Sequence, residues 1–351
     1  MAAQYIAYVG TYTWDDSEGI YAFRVDGDDI DFEPLGATPA GENPSFLAIH
    51  PSGDYLYAIN ESDPGTITAF AIDDETGDLE QLSQAETGAP GPCHCSVDAT
   101  GSYVLVAHYG GKSVSALPIE NGDVSDATQV IEHEGSSVDP DRQTQPRPHS
   151  IVPGPNNRFV YAPDLGTDRV FIYAFDPNNG PLTPSEQGSV QLQERAGPRH
   201  FDFHPDGDRA FLINEMDSTL TAFDRNQDTG ALSEITTVST LPADFDGENS
   251  TADVHVHPSG NWVYGSNRGH DSIAIFDIDD DTGELDVLGH ESTRGETPRN
   301  FAIDPTGAFL VAENQDTDDM HAYEIQADGR LEYVKEVAEV SRPVCLKFLE
   351  V

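Results

Sequence analysis

Lysine, cysteine and long apolar runs are scarce in this chain. Its 351 residues include three lysines (Lys112, Lys335 and Lys347) and three cysteines (Cys93, Cys95 and Cys345). Three thiols are too few for a disulfide framework. Cys93 and Cys95 stand two apart on one expected strand and face the same side, without the further ligands a zinc site needs, so the thiols read as buried side chains. No apolar run approaches the ~18 residues of a membrane helix, and no secretory leader is recognisable. These absences predict a cytoplasmic protein with no membrane partner. No window sustains a 3.6-residue apolar period, which argues against helices. G-x-S-x-G, the P-loop and H-E-x-x-H are all missing, which removes the serine elbow, the phosphate loop and the commonest zinc hydrolase site. His255–Val256–His257 comes nearest to a metal pair in spacing, but no convergent carboxylate set accompanies it. The expectation is no cofactor and no metal.

Positive charge is the second shortage. Seventeen basic residues face 63 acidic ones, for a net charge of −46. The acids crowd segments such as DDSEG, DDETGD and DIDDDTGE and are spread along the whole chain. That pattern reads as a solvated acidic coat suited to high salt, where screening weakens self-repulsion. With lysine so rare, the composition resembles that of salt-in haloarchaea. Nucleic acid is excluded as a partner by the same charge. The sequence leaves monomer and homodimer equally open.

What is abundant is repetition. PSFLAIHPSGD (44–54), PCHCSVDATGS (92–102), RPHSIVPGPNN (147–157), PRHFDFHPDGD (198–208), ADVHVHPSGN (252–261), PRNFAIDPTGA (298–308) and RPVCLKFLEV (342–351) are seven copies of one strand-and-turn pattern. A spacing of about 50 residues built from short strands marks a β-propeller with four strands per blade. Second strands such as YLYAINE (55–61) and WVYGSNR (262–268) follow, and then outer hairpins turning at D-x-x-T-G, as in TITAFAIDDETGDLEQLS (66–83). The seventh copy lacks a second strand, and QYIAYVGTYT (4–13) supplies one. The fold class expected is therefore all-β: one seven-bladed propeller domain over residues 1–351, its last blade closed by both termini, which removes the open sheet edge.

Hairpin geometry then locates the polar residues. The start of strand one and the end of strand two lie at the same end of each hairpin. Strand-one starts supply His94, Arg147, His149, Arg199, His200, Arg299, Asn300 and Arg342. Strand-two ends supply Asn60, Glu61, His108, Tyr109, Asp164, Asn214, Glu215, Asn267, Arg268, Glu313 and Asn314. All are expected at one mouth of the central channel. Arginines gathered there, in a protein that otherwise avoids positive charge, suit an anionic ligand, because guanidinium binds carboxylate and phosphate bidentately. The blander reading is that they tie blades together through Glu61, Glu215 and Glu313. His149 and Glu215 are the candidates for proton transfer. His50, His204 and His257 sit in H-P-[SD]-G turns and read as turn residues.

NPSFLAIHPSGDYLYAINE (43–61), GPRHFDFHPDGDRAFLINEMDSTLTAF (197–223), SNRGHDSIAIF (266–276) and TPRNFAIDPTGAFLVAENQD (297–316) resemble the lactonase family of seven-bladed propellers, and the likeness runs through all seven units. The family includes propeller-type 6-phosphogluconolactonases and carboxy-cis,cis-muconate cyclases. The resemblance implies a metal-independent enzyme that opens or forms a lactone at the channel mouth. It implies catalytic roles for His149 in RPHS, Arg199 in GPRH, Glu215 in NEMDST and Arg268 in SNRG. Arg147, His94, Tyr109, Asn267, Arg299 and Asn300 are the substrate-binding candidates around them. The expected function is hydrolysis of 6-phosphogluconolactone or a related sugar lactone, an anionic small molecule. A muconate-type lactonising cycloisomerase and a non-catalytic binding platform are the rivals. Two departures from the family pattern bear on substrate choice. Arg147 stands where many relatives have the first histidine of P-H-x-H-S, and ADVHVHPSG lacks an arginine often found near His255.

Overall fold

Alternating apolar residues in each repeat become antiparallel strands in the computed structural model, which describes residues 4–178 and 182–351. Among these residues there is no helix, so none is long and apolar enough to cross a membrane. Seven antiparallel sheets of the four-stranded type form the blades of a propeller. Their innermost strands are Phe46–Ile49, Pro92–Val97, Val152–Pro153, Pro198–Phe203, Ser250–Val256, Pro298–Ile303 and Pro343–Glu350. In the blade that begins at Pro92 the outer position is split between Asp123–Val124 and Gln129–Glu132. The last blade closes as the sequence suggested. Pro343–Glu350 is its innermost strand and pairs with Gln4–Thr11, which pairs in turn with Ile20–Asp26.

The core lies between blades. Phe211, Ile213 and Leu220 of one blade pack on Val263, Ala274 and Phe276 of the next, and Tyr264 and Ile275 pack on Phe301 and Leu310 beyond. A strand buried on both faces has few polar positions to offer, so the second strands are nearly continuous apolar runs.

Repeated polar ties fix the blades in register. His50, His204 and His257 each place Nε2 against the carbonyl of a turn glycine in the following blade: Gly101, Gly260 and Gly307, at 3.2, 3.0 and 2.9 Å. Those glycines have φ of +70°, +82° and +78°, and a Cβ on any of them would lie within 2.1–2.5 Å of the imidazole. No other residue meets both demands. Tyr8, Tyr57, Tyr161 and Tyr264 donate their hydroxyls in the same way to Gly77, Gly122, Gly230 and Gly329 of the next blade. The turn histidines are therefore inter-blade ties as well as turn residues.

Candidate active site

Strand alternation decides which residues of the expected rim reach the channel. At the ends of the second strands, Asn60, Asn214 and Asn314, and Asn267 one residue before its strand ends at Arg268, turn into their own blades. Asn267 is fully buried. Its Oδ1 accepts from Thr240 and Asn249, and its Nδ2 donates to the Thr240 carbonyl and to Ser272. The expectation that Asn267 contacts substrate is corrected on this point. The following residue points the other way, and this brings Glu61, Tyr109 and Glu215 to the mouth. Arg268 reaches it in the same manner. Arg342 is outside the cluster, held on the rim by Asp15 and Asp316.

Glu215 is the centre of the mouth. One oxygen, Oε1, accepts from Arg142 at 2.6 Å, while Oε2 accepts from Arg199 Nε at 2.9 Å and lies 3.1 Å from Arg268. His149 Nε2 stands 4.0 Å from Oε2. Burial works to raise the Glu215 pKa, but Arg268, Arg199 and Arg142 together hold it far below the usual carboxylate range. Arg199 is 2% exposed, and burial with Arg268 and Arg299 nearby brings it down to about 9, so it is still charged at neutral pH. It also donates to the Ala252 carbonyl. Arg268 donates to the Thr251 carbonyl at 2.6 Å. Arg299 has no hydrogen bond or ion pair among the described residues, and its guanidinium lies 5.5 Å from the centroid of the Tyr12 ring. Glu61 accepts from Tyr12 and Ser45. The mouth thus carries the charge of Arg142, Arg147, Arg199, Arg268 and Arg299 against two carboxylates, an excess of positive charge within a strongly acidic protein.

Arg142 was absent from the sequence expectations. It comes from the stretch between Glu132 and Val152, inside the longest interval of the repeat. Asp139 caps its turn by accepting from the Arg142 amide at 2.8 Å. Its guanidinium donates to the Tyr109 hydroxyl at 3.0 and 3.2 Å as well as to Glu215. Arg147 donates to the Arg142 carbonyl and lies 4.8 Å from the centroid of the Tyr109 ring. The only sequence signal was the extra length of that unit, because an arginine in a loop carries no strand register.

His149 is buried and its pKa is pushed well below the usual histidine range, first by burial and then by Arg199, His200 and Arg299. It is a neutral imidazole at pH 7, and its Nδ1 has no partner among the described residues. A cavity of about 10 Å³ lies beneath it, lined by residues that include Arg199, His200, Arg299, Tyr12 and Ser45.

His94 and Asn300 are deeper than expected. His94 lines a cavity of about 260 Å³ on the far side of Phe46 and His200, with Asp202, Asp253, His255 and Lys347. Asn300 is buried, donates to Asp253 and accepts from the Leu346 amide at 2.8 Å. Both expectations of substrate contact at the mouth are corrected, because these side chains follow the inner strand down the channel. Glu313 is also misplaced. It pairs in register with Asn300 at a level where other blades carry Ile213 and Ala107. It is fully buried without a partner for either oxygen, and burial pushes its pKa well upward, so it is a neutral acid. Among the described residues no three His, Cys, Asp or Glu side chains are grouped to hold a metal ion.

A seven-bladed propeller whose channel mouth holds one carboxylate among three arginines, with a neutral histidine beside it, defines an anion-handling site of acid–base character. Residues 6–348 match the family described as lactonase, 7-bladed beta-propeller, and the chain belongs to that family. It is 37% identical over 350 residues to the 6-phosphogluconolactonase of Bacillus subtilis, covering 99% of both chains. It is 34% identical to the 6-phosphogluconolactonase of Serratia proteamaculans, covering 81% of this chain and 82% of that one. The structure of a periplasmic gluconolactonase from Pseudomonas aeruginosa superposes with a TM-score of 0.94 at 33% identity, over 99% of this chain and all of that one.

Proposed function

We propose that the protein is a lactone hydrolase that opens 6-phosphogluconolactone, or a related sugar lactone, to the sugar acid. The observation that carries this reading is the Glu215 cluster, in which three guanidiniums converge beside a neutral imidazole. The names of the relatives support the same chemistry.

Hydrolysis of a lactone needs a base for water, positive charge for the oxyanion, and a site for an anionic substrate. Glu215 is too strongly held by arginines to take a proton, so its role is to fix Arg142, Arg199 and Arg268 in place. His149 is neutral and faces the mouth, and it takes the proton of the attacking water. The charge that develops on the carbonyl oxygen falls to Arg199 and Arg268. Arg299, which lacks an ion-pair partner, and Arg147, stacked on Tyr109, bind the phosphate or the product carboxylate. A δ-lactone already opens slowly in water, so positioning and charge have only a modest barrier to lower. The acidic coat suits work at high ionic strength in the cytoplasm.

The test is a panel of phosphorylated and unphosphorylated δ-lactones at low and molar salt, with and without EDTA. Faster opening of the phosphorylated lactones, indifferent to EDTA, is expected. An EDTA-sensitive enzyme, or one that prefers neutral lactones, would overturn the assignment.

A further inference from the structure

His200 follows Arg199 in GPRH and points into the channel below the mouth. It is buried and lines the 10 Å³ cavity together with His149, Arg199 and Arg299. That volume suits about one water molecule and cannot admit a sugar ring. Two buried ring nitrogens on the lining residues have no partner among the described residues: His149 Nδ1 and His200 Nε2. The two rings meet edge to face with centroids 5.4 Å apart.

The other nitrogen of His200 is fixed. Its Nδ1 lies 2.6 Å from Asp253 Oδ1. Asp253 is 3% exposed and takes further donors from every side: the Val254 amide at 3.0 Å, His255 Nε2 at 3.0 Å, and the Asn300 amide. Burial alone would raise the pKa of Asp253, but His255 and His200 hold it well below the usual range, so it is ionised. An ionised carboxylate at Nδ1 keeps the proton there and leaves Nε2 as an acceptor. His149, by contrast, has no carboxylate within hydrogen-bond distance to set its tautomer, Glu215 Oε2 lying 4.0 Å from its Nε2.

We infer that His200 is a further catalytic residue, which holds the attacking water through Nε2 beneath the lactone, and that Asp253 is a positioning residue that sets its tautomer. The inference rests on the lactone-hydrolase reading of the mouth. The small cavity holds the water and the arginine-lined mouth holds the lactone, so attack runs from below. As the water oxygen bonds to the carbonyl carbon, one of its protons passes to His149 while His200 Nε2 accepts a hydrogen bond from the other. When the ring C–O bond breaks, His149 returns its proton to the departing oxygen, and both imidazoles are neutral again. The charged and titratable groups around His200 are Arg199, Asp253, His255, His149 and His94.

The experiment is steady-state kinetics of wild type, His200→Asn and Asp253→Asn on 6-phosphogluconolactone, corrected for folded fraction. His200→Asn should lower kcat by about 10²-fold, the scale of losing the orientation of a reacting group, with KM within about twofold. Added imidazole should restore part of the loss. Asp253→Asn should lower kcat and shift the acid limb of the pH–rate profile, which a merely structural role would leave in place. Should neither variant fold, ¹⁵N spectra of histidines in the wild-type protein read the tautomer of His200 directly, and Nδ1–H is expected. A kcat for folded His200→Asn within about threefold of wild type, or an Nε2–H tautomer, overturns the inference. A wild-type protein that does not open the lactone would instead refute the functional reading on which it rests.

Discussion

Replacing Glu215 with glutamine tests the charge account of the mouth without changing its shape. In the native protein the carboxylate is paired at 2.6, 2.9 and 3.1 Å with three guanidiniums, and it is almost fully buried. Each such pair is worth about 4 kcal/mol of Coulomb attraction at an effective dielectric of 20, and desolvation offsets much of it. Removing the one anion leaves Arg142, Arg199 and Arg268 facing each other. Loss of one partner from a buried pair costs about 3–5 kcal/mol, and that is the expected loss of stability. The vacated centre is then a binding site for a small oxyanion. Denaturant unfolding in potassium chloride, with phosphate exchanged in at constant ionic strength, reads both effects. Phosphate at a hundred times its dissociation constant should return about 2.7 kcal/mol to Glu215→Gln and clearly less to wild type, where Glu215 already fills the centre. Catalysis should fall as well, because the arginines lose their common anchor. A variant as stable as wild type, or an equal response of both proteins to phosphate, would refute the reasoning.

Arg142→Met removes a half-exposed cation that touches Tyr109 and Glu215; with one positive charge fewer at the mouth, and Tyr109 no longer held beneath Arg147, KM for a phosphorylated lactone should rise about tenfold, or ~1.4 kcal/mol, with little change in stability. Glu313→Gln replaces a buried neutral acid. The raised pKa of Glu313 gives stability that is complete below the unfolded value near 4.5 and is lost as pH rises toward the folded value, so the variant should gain on wild type by up to about 1.4 kcal/mol per pH unit above 4.5, read from unfolding at several pH values. His149 and His200 have depressed pKa values, His200 down to about 4, so their contribution is present above pH 6.5 and is lost as pH falls toward 4. The pH–rate profile follows the folded-state values instead, so it should stay flat below pH 6.5 and drop only as pH approaches about 4.

The blade count, the closure of the last blade by both termini and most inner-strand starts were legible in the repeat, because strand period and turn chemistry are local; the third inner strand, expected from Pro148, begins only at Val152. Four residues expected at the catalytic centre do converge: Glu215 touches Arg199 and Arg268, with His149 nearby. Asn267, His94 and Asn300 were misplaced for one shared reason. Hairpin geometry gives the end of the blade at which a residue lies. It does not say whether the side chain enters the channel, the blade or the gap between blades. Asn267 turned inward by the strand alternation, and Asn300 followed the channel to Asp253. Glu313 read as a rim acid because it stands next to Asn314, but Asn314 holds the place of Asn214, Gln315 that of Glu215, and Glu313 the core place of Ile213. Arg142 was invisible because no strand carries it. Asp253 was missed because its partners, His200, His255 and Asn300, come from three strands in three blades.

The central claim is that this arginine-rich mouth opens lactones, and acid release measures it most directly. With 6-phosphogluconolactone at molar salt, the account predicts proton release well above the spontaneous rate, and a near-complete loss of that excess in Arg199→Ala. Release at the spontaneous rate by folded wild-type protein would contradict it.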